Sequence, residues 1–486
     1  MRSAGRQADT GPVRHAATGP RTSTGEVDLD ALAVALSPCD VLETAGPATG
    51  WSYLVPHDGP VLVDDGRHTV LEHADGSREP RGTDPFAAIE TWCAELGITP
   101  GAELDDAVRE GVDEADDGPP FAGGLVGALA YDLARRVERL PRRARRDREQ
   151  DHLHLRLADL VVAVTPDRRT AWVAGRDLSG RGDLDARTRE LLGRVERAEA
   201  DVPPPPPPTG QPVTSSLSRT DYLDAVETIL EHIAAGTTFQ VNFAQRLTGR
   251  FDGDALALYR GLRAHSPAPF GACLPAVGLA SVSPETFLAA DGRRVRTRPV
   301  KGTRPRSADP VLDAAHADDL VTSSKDRAEN VMVVDLERND LGRVCEPGTV
   351  VVPELCRLEG HPTVWHLVSD VEGRLRDGVG WGELLRATFP CGSITGAPKV
   401  AAMTIIEELE RVRRGWYCGA VGFLAPGRLR LSVAIRTATR FADGTVDHGA
   451  GGGIVAESDP AAEHAESLDK GAAFLRTLGS TSVVAT

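Results

Sequence analysis

The sequence predicts an α+β fold. Strand-like runs in its second half are interrupted by long helical stretches at irregular spacing, which a regular βαβ alternation does not produce. With 486 residues and 41% apolar content, the chain is too long for one ordinary core and rich enough to fill more than one. A run of six prolines, in "VPPPPPPTGQPV" (202–213), marks the plainest boundary, because it can join neither a sheet interior nor a helix.

Taken in order, residues 1–28 are rich in Gly, Pro, Arg and Thr and lack the apolar stretch of a signal peptide, which predicts a disordered extension. Residues 29–200 mix short β-like runs ("GPVLVDDG", "LADLVVAVTP", "TAWVAG") with charged helical stretches. Here "FAGGLVGALAYDLARRVERLP" opens on glycines that imply close backbone approach. Residues 201–216 form the proline-rich linker and 217–486 the second, more motif-rich region. In "SRTDYLDAVETILEHIAAG" Tyr222, Val226, Ile229, Leu230 and Ile233 share a helix face that Gly236 ends. "FQVNFAQRLTGRF", "LASVSPETFLAA", "LRLSVAIRTATRFA" and "GTVDHGAGGGIVAES" read as strands, with helices expected over about 310–340, 397–411 and 460–478.

The 55 basic and 71 acidic residues give a formal charge of −16, which argues against nucleic-acid binding. No run approaches a membrane span. Seven scattered cysteines without a CxxC pair point to a reduced, cytoplasmic protein without structural zinc. An anionic ligand therefore needs a local positive pocket, and the stretch 291–306, with six arginines around Lys301, is one candidate.

Glu463, Glu466 and Lys470 share one face of the last helix, a stripe that in isolation is more often solvated. Glu329 lies beside the apolar Ala328, Met332 and Leu336; Asp335, Arg338, Asn339 and Asp340 form a dense charged group after it. Carboxylates from two such helices, Glu329 and Glu466, suit a hard cation such as Mg²⁺ with substrate oxygens completing its shell. "GSITGAPK" places exposed amides at a helix start, where anions are favoured, yet lacks the phosphate-loop Lys-Ser/Thr; "GAGGG" continues as a strand, so nucleotide binding is not expected. His366 sits in an apolar stretch and by itself reads as a core histidine. Cys273 in "FGACLPA" lacks the second glycine of a nucleophile elbow.

Read together, "SPETF", "TRPVKGTRPR", "KDRAENVMVVDLERNDLGRV", "HLVSDVEG", "GSITGAPKVAAM", "GWYCGAVGF", "LSVAIRTA" and "GAGGGIVAESDPAAEHAESLDK" resemble the chorismate-utilising enzymes, in that family's order over about 239–475. "FAGGLVGALAYDL" looks like the family's N-terminal segment. The resemblance implies large antiparallel sheets packed as a sandwich and flanked by helices. Lys301 in "PVKGT" is similar to the aminodeoxychorismate synthase component I branch rather than to anthranilate synthase component I, which usually carries Ala there. A catalytically silent, regulatory or glutaminase-binding homologue is the alternative of another class.

The same resemblance implies a magnesium-dependent, amino-transferring synthase (a transferase of the transaminase class). Such a chain would convert chorismate and ammonia to 4-amino-4-deoxychorismate, the precursor of p-aminobenzoate and folate. No amidotransferase elbow is visible, so ammonia would come from a separate glutamine amidotransferase subunit. By that likeness Lys301 would be a covalent nucleophile, Glu285 the acid that protonates the departing 4-hydroxyl, and His366 a group near the ring. Ser393, Tyr417, Arg436, Gly451, Gly453 and Lys470 would bind substrate carboxylates, and Glu329, Glu463 and Glu466 would serve Mg²⁺. Positive charge such as Arg298 is expected beside Lys301, to keep its amine neutral. Thr237, Thr286 and Cys391 depart from the family's usual Asp, Arg and Gly.

Overall fold

Strand alternation sets the architecture. In Leu160–Val164, Leu160, Val162 and Val164 enter one apolar cluster while Val161 and Ala163 enter another. Both faces of this strand are therefore buried, which is why it reads as a continuous apolar run. The computed structural model describes residues 12–45, 50–102, 119–199, 202–361 and 364–485.

Among these residues a 13-stranded and a 12-stranded sheet form two stacked layers. The first runs from Val13–Ala17 through Ala171–Gly175, Leu160–Val164, Ser52–Pro56 and Cys39–Glu43 into Phe270–Leu274, Leu279–Ser283, Thr437–Arg440, Thr445–Ile454 and Gln240–Arg250. The second runs from Val300–Pro305 and Val364–Arg374 through Arg294–Arg298, Thr286–Asp291, Arg428–Val433 and Ala420–Ala425 into Gly124–Leu129 and Leu153–Ala158. Pairing between these strands is antiparallel; Val213–Ser215, at the first sheet's far edge, lies parallel to Val483–Ala485. Tyr53 from the first sheet meets Phe423 from the second, and Phe121 stacks on Phe423 at 4.2 Å. Helices cover the outer faces, Pro85–Glu95 and Trp381–Thr388 on one side and Ala255–His265 and Ala472–Leu478 on the other. The expected α+β sandwich of antiparallel sheets flanked by helices is the fold observed.

The expected close backbone approach is real at Gly127, where an added Cβ would stand 1.8 Å from the His154 carbonyl oxygen. The expected helix over 310–340 is two, Pro310–Thr322 and Ser324–Gly342, because Ser323 turns extended and caps the second by accepting from the Asp326 amide. Gly471 divides Pro460–Lys470 from Ala472–Leu478.

The disordered extension over 1–28 is corrected in its described part. Val13–Ala17 adds an edge strand to Ala171–Gly175, Val27 is buried, and Asp28 caps the helix Leu29–Ala35. An edge strand needs only backbone partners, so polar composition hid it; residues 1–11 lie outside the described residues. Each sheet takes strands from both sides of the proline run. The run is strapped down: the Arg260 guanidinium donates to the Pro203 carbonyl at 2.7 Å, and the Gly210 amide donates to Leu478 at 3.0 Å. Its end, Val213–Ser215, is itself a strand within the span read as linker.

Candidate active site

Two irregularities aim the reactive side chains. Between Val300 and Thr303 the edge strand carries two residues, Lys301 and Gly302, opposite the single Leu367 between Val368 and His366. This bulge re-aims Lys301. Gly302 adopts φ +84°, and a Cβ there would meet Leu320 at 2.7 Å and Asp326 at 3.0 Å, so the position needs glycine. A second bulge after Thr286 sits just beyond Glu285.

All twelve residues singled out from the sequence line one cavity of about 640 Å³. Lys301 Nζ donates to the Ser393 carbonyl at 2.8 Å. Glu285 is buried, which pushes its carboxyl pKa up, while the Lys301 charge and the Ser393 hydroxyl pull it back; Oε1 has no partner among the described residues. His366 Nδ1 meets the Thr303 hydroxyl at 2.9 Å. Burial and the neighbouring His361 lower the His366 pKa to about 4, so its ring is neutral at neutral pH. Arg436 holds a left-handed backbone (φ 52°). Among the described residues its side chain makes no hydrogen bond or ion pair, which leaves a forked donor open for a carboxylate.

In the same cavity Lys470 Nζ donates to the Gly451 carbonyl (2.9 Å) and pairs with Glu466 (2.7 Å). Burial pushes Glu466 up, but Lys470, together with Lys325 and Lys301, outweighs it and the net shift is down. Glu463 accepts from the Ser458 hydroxyl at 2.6 Å and lies 3.7 Å from Lys325 Nζ. Burial raises Glu329, against Lys301 and Lys325. Gly452 faces this group: a Cβ would come within 3.4 Å of Glu463 Oε2 and 3.7 Å of Glu466 Oε1. At Gly451 and Gly453, by contrast, a Cβ would meet Phe243 backbone and Gln240. Among the described residues no three His, Cys, Asp or Glu side chains enclose an ion by themselves. Carboxylate oxygens beside an open cavity do suit Mg²⁺, which keeps water and takes one or two carboxylates plus substrate oxygens. Glu463 and Glu466, with Glu329, which Glu463 and Lys325 both influence, are the side chains that would hold it.

The basic stretch 291–306 does not converge. Strand alternation and bulging send Arg293 to Glu346 and Asp377, Arg304 to Asp319 and Asp326, and Arg306 to Asp313. Arg298, the positive neighbour expected for Lys301, is held by Asp370 at 2.7 Å and Glu359 at 2.6 Å. The charges that interact with Lys301 are instead the carboxylates Glu285, Glu329 and Glu466. The dense group after Glu329 also separates, with Arg338 on Asp335 and Asp340 on Lys399. Lys399 additionally donates to the Thr388 and Pro390 carbonyls, closing that helix start. Cys273 is buried within a strand, with its thiol pKa pushed far up.

Sequence reading missed Asn242, Arg414 and Lys325. Asn242 Nδ2 donates to the Ser393 carbonyl at 2.8 Å. Arg414 donates to the Ile394 and Asn242 carbonyls and pairs with Glu410. The adjacency of Arg414 to "GWY" was the available signal.

A family model described as chorismate binding enzyme matches residues 66–476. The aminodeoxychorismate synthase component 1 of Klebsiella aerogenes is 43% identical over 412 residues, 84% of this chain and 86% of that protein. The anthranilate synthase component 1 of Streptomyces coelicolor is 39% identical over 433 residues, 86% of this chain and 81% of that protein. The crystal structure of anthranilate synthase component I from Streptococcus pneumoniae superposes with a TM-score of 0.71 at 25% identity, covering 87% of this chain and 91% of that one. The chain belongs to the chorismate binding enzyme family.

Proposed function

We propose that this chain is an aminodeoxychorismate synthase component 1, which aminates chorismate at C4 through a covalent adduct on Lys301. The observation that carries this reading is the Lys301 amine, presented on a bulge into the same cavity as the buried acid Glu285. In this reaction Lys301 Nζ adds to C2 while the 4-hydroxyl leaves through the diene with a proton from Glu285. Ammonia then adds at C4 and expels the lysine, so two inversions give net retention and one hard step becomes two easier ones. Burial of Glu285 favours its protonated form before the first step. His366, neutral and fixed by Thr303, faces the ring, and Arg436 and Tyr417 take the enolpyruvyl carboxylate. Mg²⁺, when bound, would hold the ring carboxylate and stabilise charge that develops during displacement. Ammonia is supplied by a separate glutamine amidotransferase, in keeping with the component 1 name of its relatives. Among the described residues no helix is long and apolar enough to cross a membrane.

The name of the Streptomyces coelicolor relative favours a second reading, anthranilate synthesis, in which pyruvate is also eliminated. The purified chain should be incubated with chorismate, Mg²⁺ and an ammonium salt at alkaline pH, beside Lys301→Ala, and the products identified by mass. Aminodeoxychorismate without anthranilate, lost in the variant, is the expected result. Anthranilate from the native chain transfers the protein to the second reading, and no chorismate consumption makes it a silent homologue.

A further inference from the structure

Behind the cavity wall lies a carboxyl group that the proposed amination does not use. Glu337, on the helix Ser324–Gly342, is buried and accepts from the Thr297 hydroxyl at 3.0 Å through Oε2. Its Oε1 lies 3.5 Å from Cys391 Sγ, and that sulfur lies 3.3 Å from Ser393 Oγ. The Ser393 hydroxyl in turn borders the cavity beside the Glu285 carboxyl, whose pKa it pulls down. Glu337, Cys391 and Ser393 thus form a line from the buried helix to the cavity, where Glu285 stands beside its end. Gly392 makes the approach feasible, since a Cβ there would stand 2.9 Å from Leu336 and 3.3 Å from Glu337 Cγ.

We propose that Glu337 holds a proton in reserve and passes it through Cys391 and Ser393 to Glu285, so that the acid at the cavity is recharged from inside the protein. This rests on the reading of Glu285 as the proton donor to the departing hydroxyl. The transfer balances without any oxidant or further reactant. The Glu337 O–H bond breaks as the Cys391 sulfur takes that proton; the thiol proton moves to the Ser393 oxygen, and the hydroxyl proton moves to the Glu285 carboxylate. Glu337 ends as a carboxylate and Glu285 as a carboxylic acid. The amine adding at C2 releases one proton for each one taken by the departing hydroxyl, and that proton refills the reserve along the same line run in reverse, from Glu285 through Ser393 and Cys391 to Glu337.

The surroundings suit a proton store. Burial, with Glu285 adding to it, raises the Glu337 pKa to about 8, against the Thr297 and Cys391 hydrogen bonds. The charged and titratable groups that face it are Glu285 from the segment before Thr286–Asp291, Asp340 from its own helix and Cys391 from the cavity turn. Asp340 is itself compensated by Lys399. None of these supplies a cation to Glu337.

The test uses the full chain with chorismate, Mg²⁺ and a fixed concentration of free ammonia, comparing Glu337→Gln, Cys391→Ala, Cys391→Ser and Glu285→Gln. Glu337→Gln and Cys391→Ala should each lower kcat on the order of tenfold, within the range for one acid–base contribution, and leave KM for chorismate unchanged. Cys391→Ser, which keeps a transferable proton, should restore the native rate. The native kcat should fall above about pH 8 as the store empties, an arm that Glu337→Gln should lack. Native-like rates and pH profiles in both Glu337→Gln and Cys391→Ala overturn the proposal, as does a serine variant no better than the alanine. If Glu337→Gln does not fold, the two Cys391 variants decide alone. An active Glu285→Gln refutes the underlying reading, whereas an inactive one beside a native-like Glu337→Gln refutes only the relay.

Discussion

Replacing Arg414 by Met tests how the cavity floor is held. The guanidinium donates to Glu410 at 2.7 and 3.0 Å, to the Ile394 carbonyl at 2.9 Å and to the Asn242 carbonyl at 2.6 Å. It also lies 4.7 Å from the Tyr131 ring and 5.9 Å from that of Tyr417. The two charged side chains are 3% and 6% exposed, so removing one strands the other away from water. Breaking a buried pair from one side costs ~3–5 kcal/mol. At ~2.1 cal/mol/K per residue the unfolding entropy of a chain this size is about 1 kcal/mol/K, so Tm should fall by ~3–5 °C. Glu410→Gln still accepts from the Ala244 amide, which the carboxylate now receives at 3.0 Å. The double variant should therefore recover part of the loss, with a coupling energy of ~1–3 kcal/mol. Calorimetric melting of the native chain, both single variants and the double variant measures this directly. Strictly additive losses, with coupling below ~0.5 kcal/mol, would refute the pair as the support of the cavity floor.

Gly302→Ala should cost ~1–3 kcal/mol in stability through its left-handed backbone, and more through the approach to Leu320 and Asp326. It should also lower chorismate turnover by displacing the neighbouring Lys301, seen as a loss of both Tm and kcat. Glu337 gives a pH prediction for stability: its folded pKa, about 8, lies above its ordinary 4.5. Its contribution is therefore fully present below about pH 4.5 and is lost as pH rises to about 8. Glu337→Gln should flatten the decline of Tm with pH across that window and melt higher than the native chain at pH 8.5; an unchanged slope between pH 5 and 8 counts against a buried, protonated Glu337.

The fold class and the full set of proposed site residues were legible because each sat in a motif of fixed spacing, and the cavity gathers every one of them. What sequence could not supply were relations across sheets. Arg298 looked like a neighbour of Lys301 along the chain, but the strand sends it to Asp370 and Glu359. Gly452, the glycine that faces Glu463 and Glu466, is bracketed by the two glycines that the pattern nominated. Which of three successive residues faces a cavity depends on register with Gln240–Arg250, and register is fixed by the partner strand. Two of the groups that hold Arg414 in place are backbone carbonyls, of Ile394 and Asn242, which leave no mark in a sequence.

The interleaving of the two halves has a consequence for how the protein is made. Residues 13–17, 39–43 and 160–175 supply one flank of the first sheet, yet among the described residues they join its centre through Phe270–Leu274, and Gly124–Leu129 awaits Ala420–Ala425 in the other sheet. During synthesis the first two hundred residues therefore leave the ribosome without the strands that complete either layer. The Cys39–Glu43 edge stays uncovered until residues 270–274 have emerged, and the Gly124–Leu129 edge until residues 420–425 have. A nascent chain stalled at the proline run would expose those edges, so translation speed beyond residue 208 sets how long chaperones must shield them.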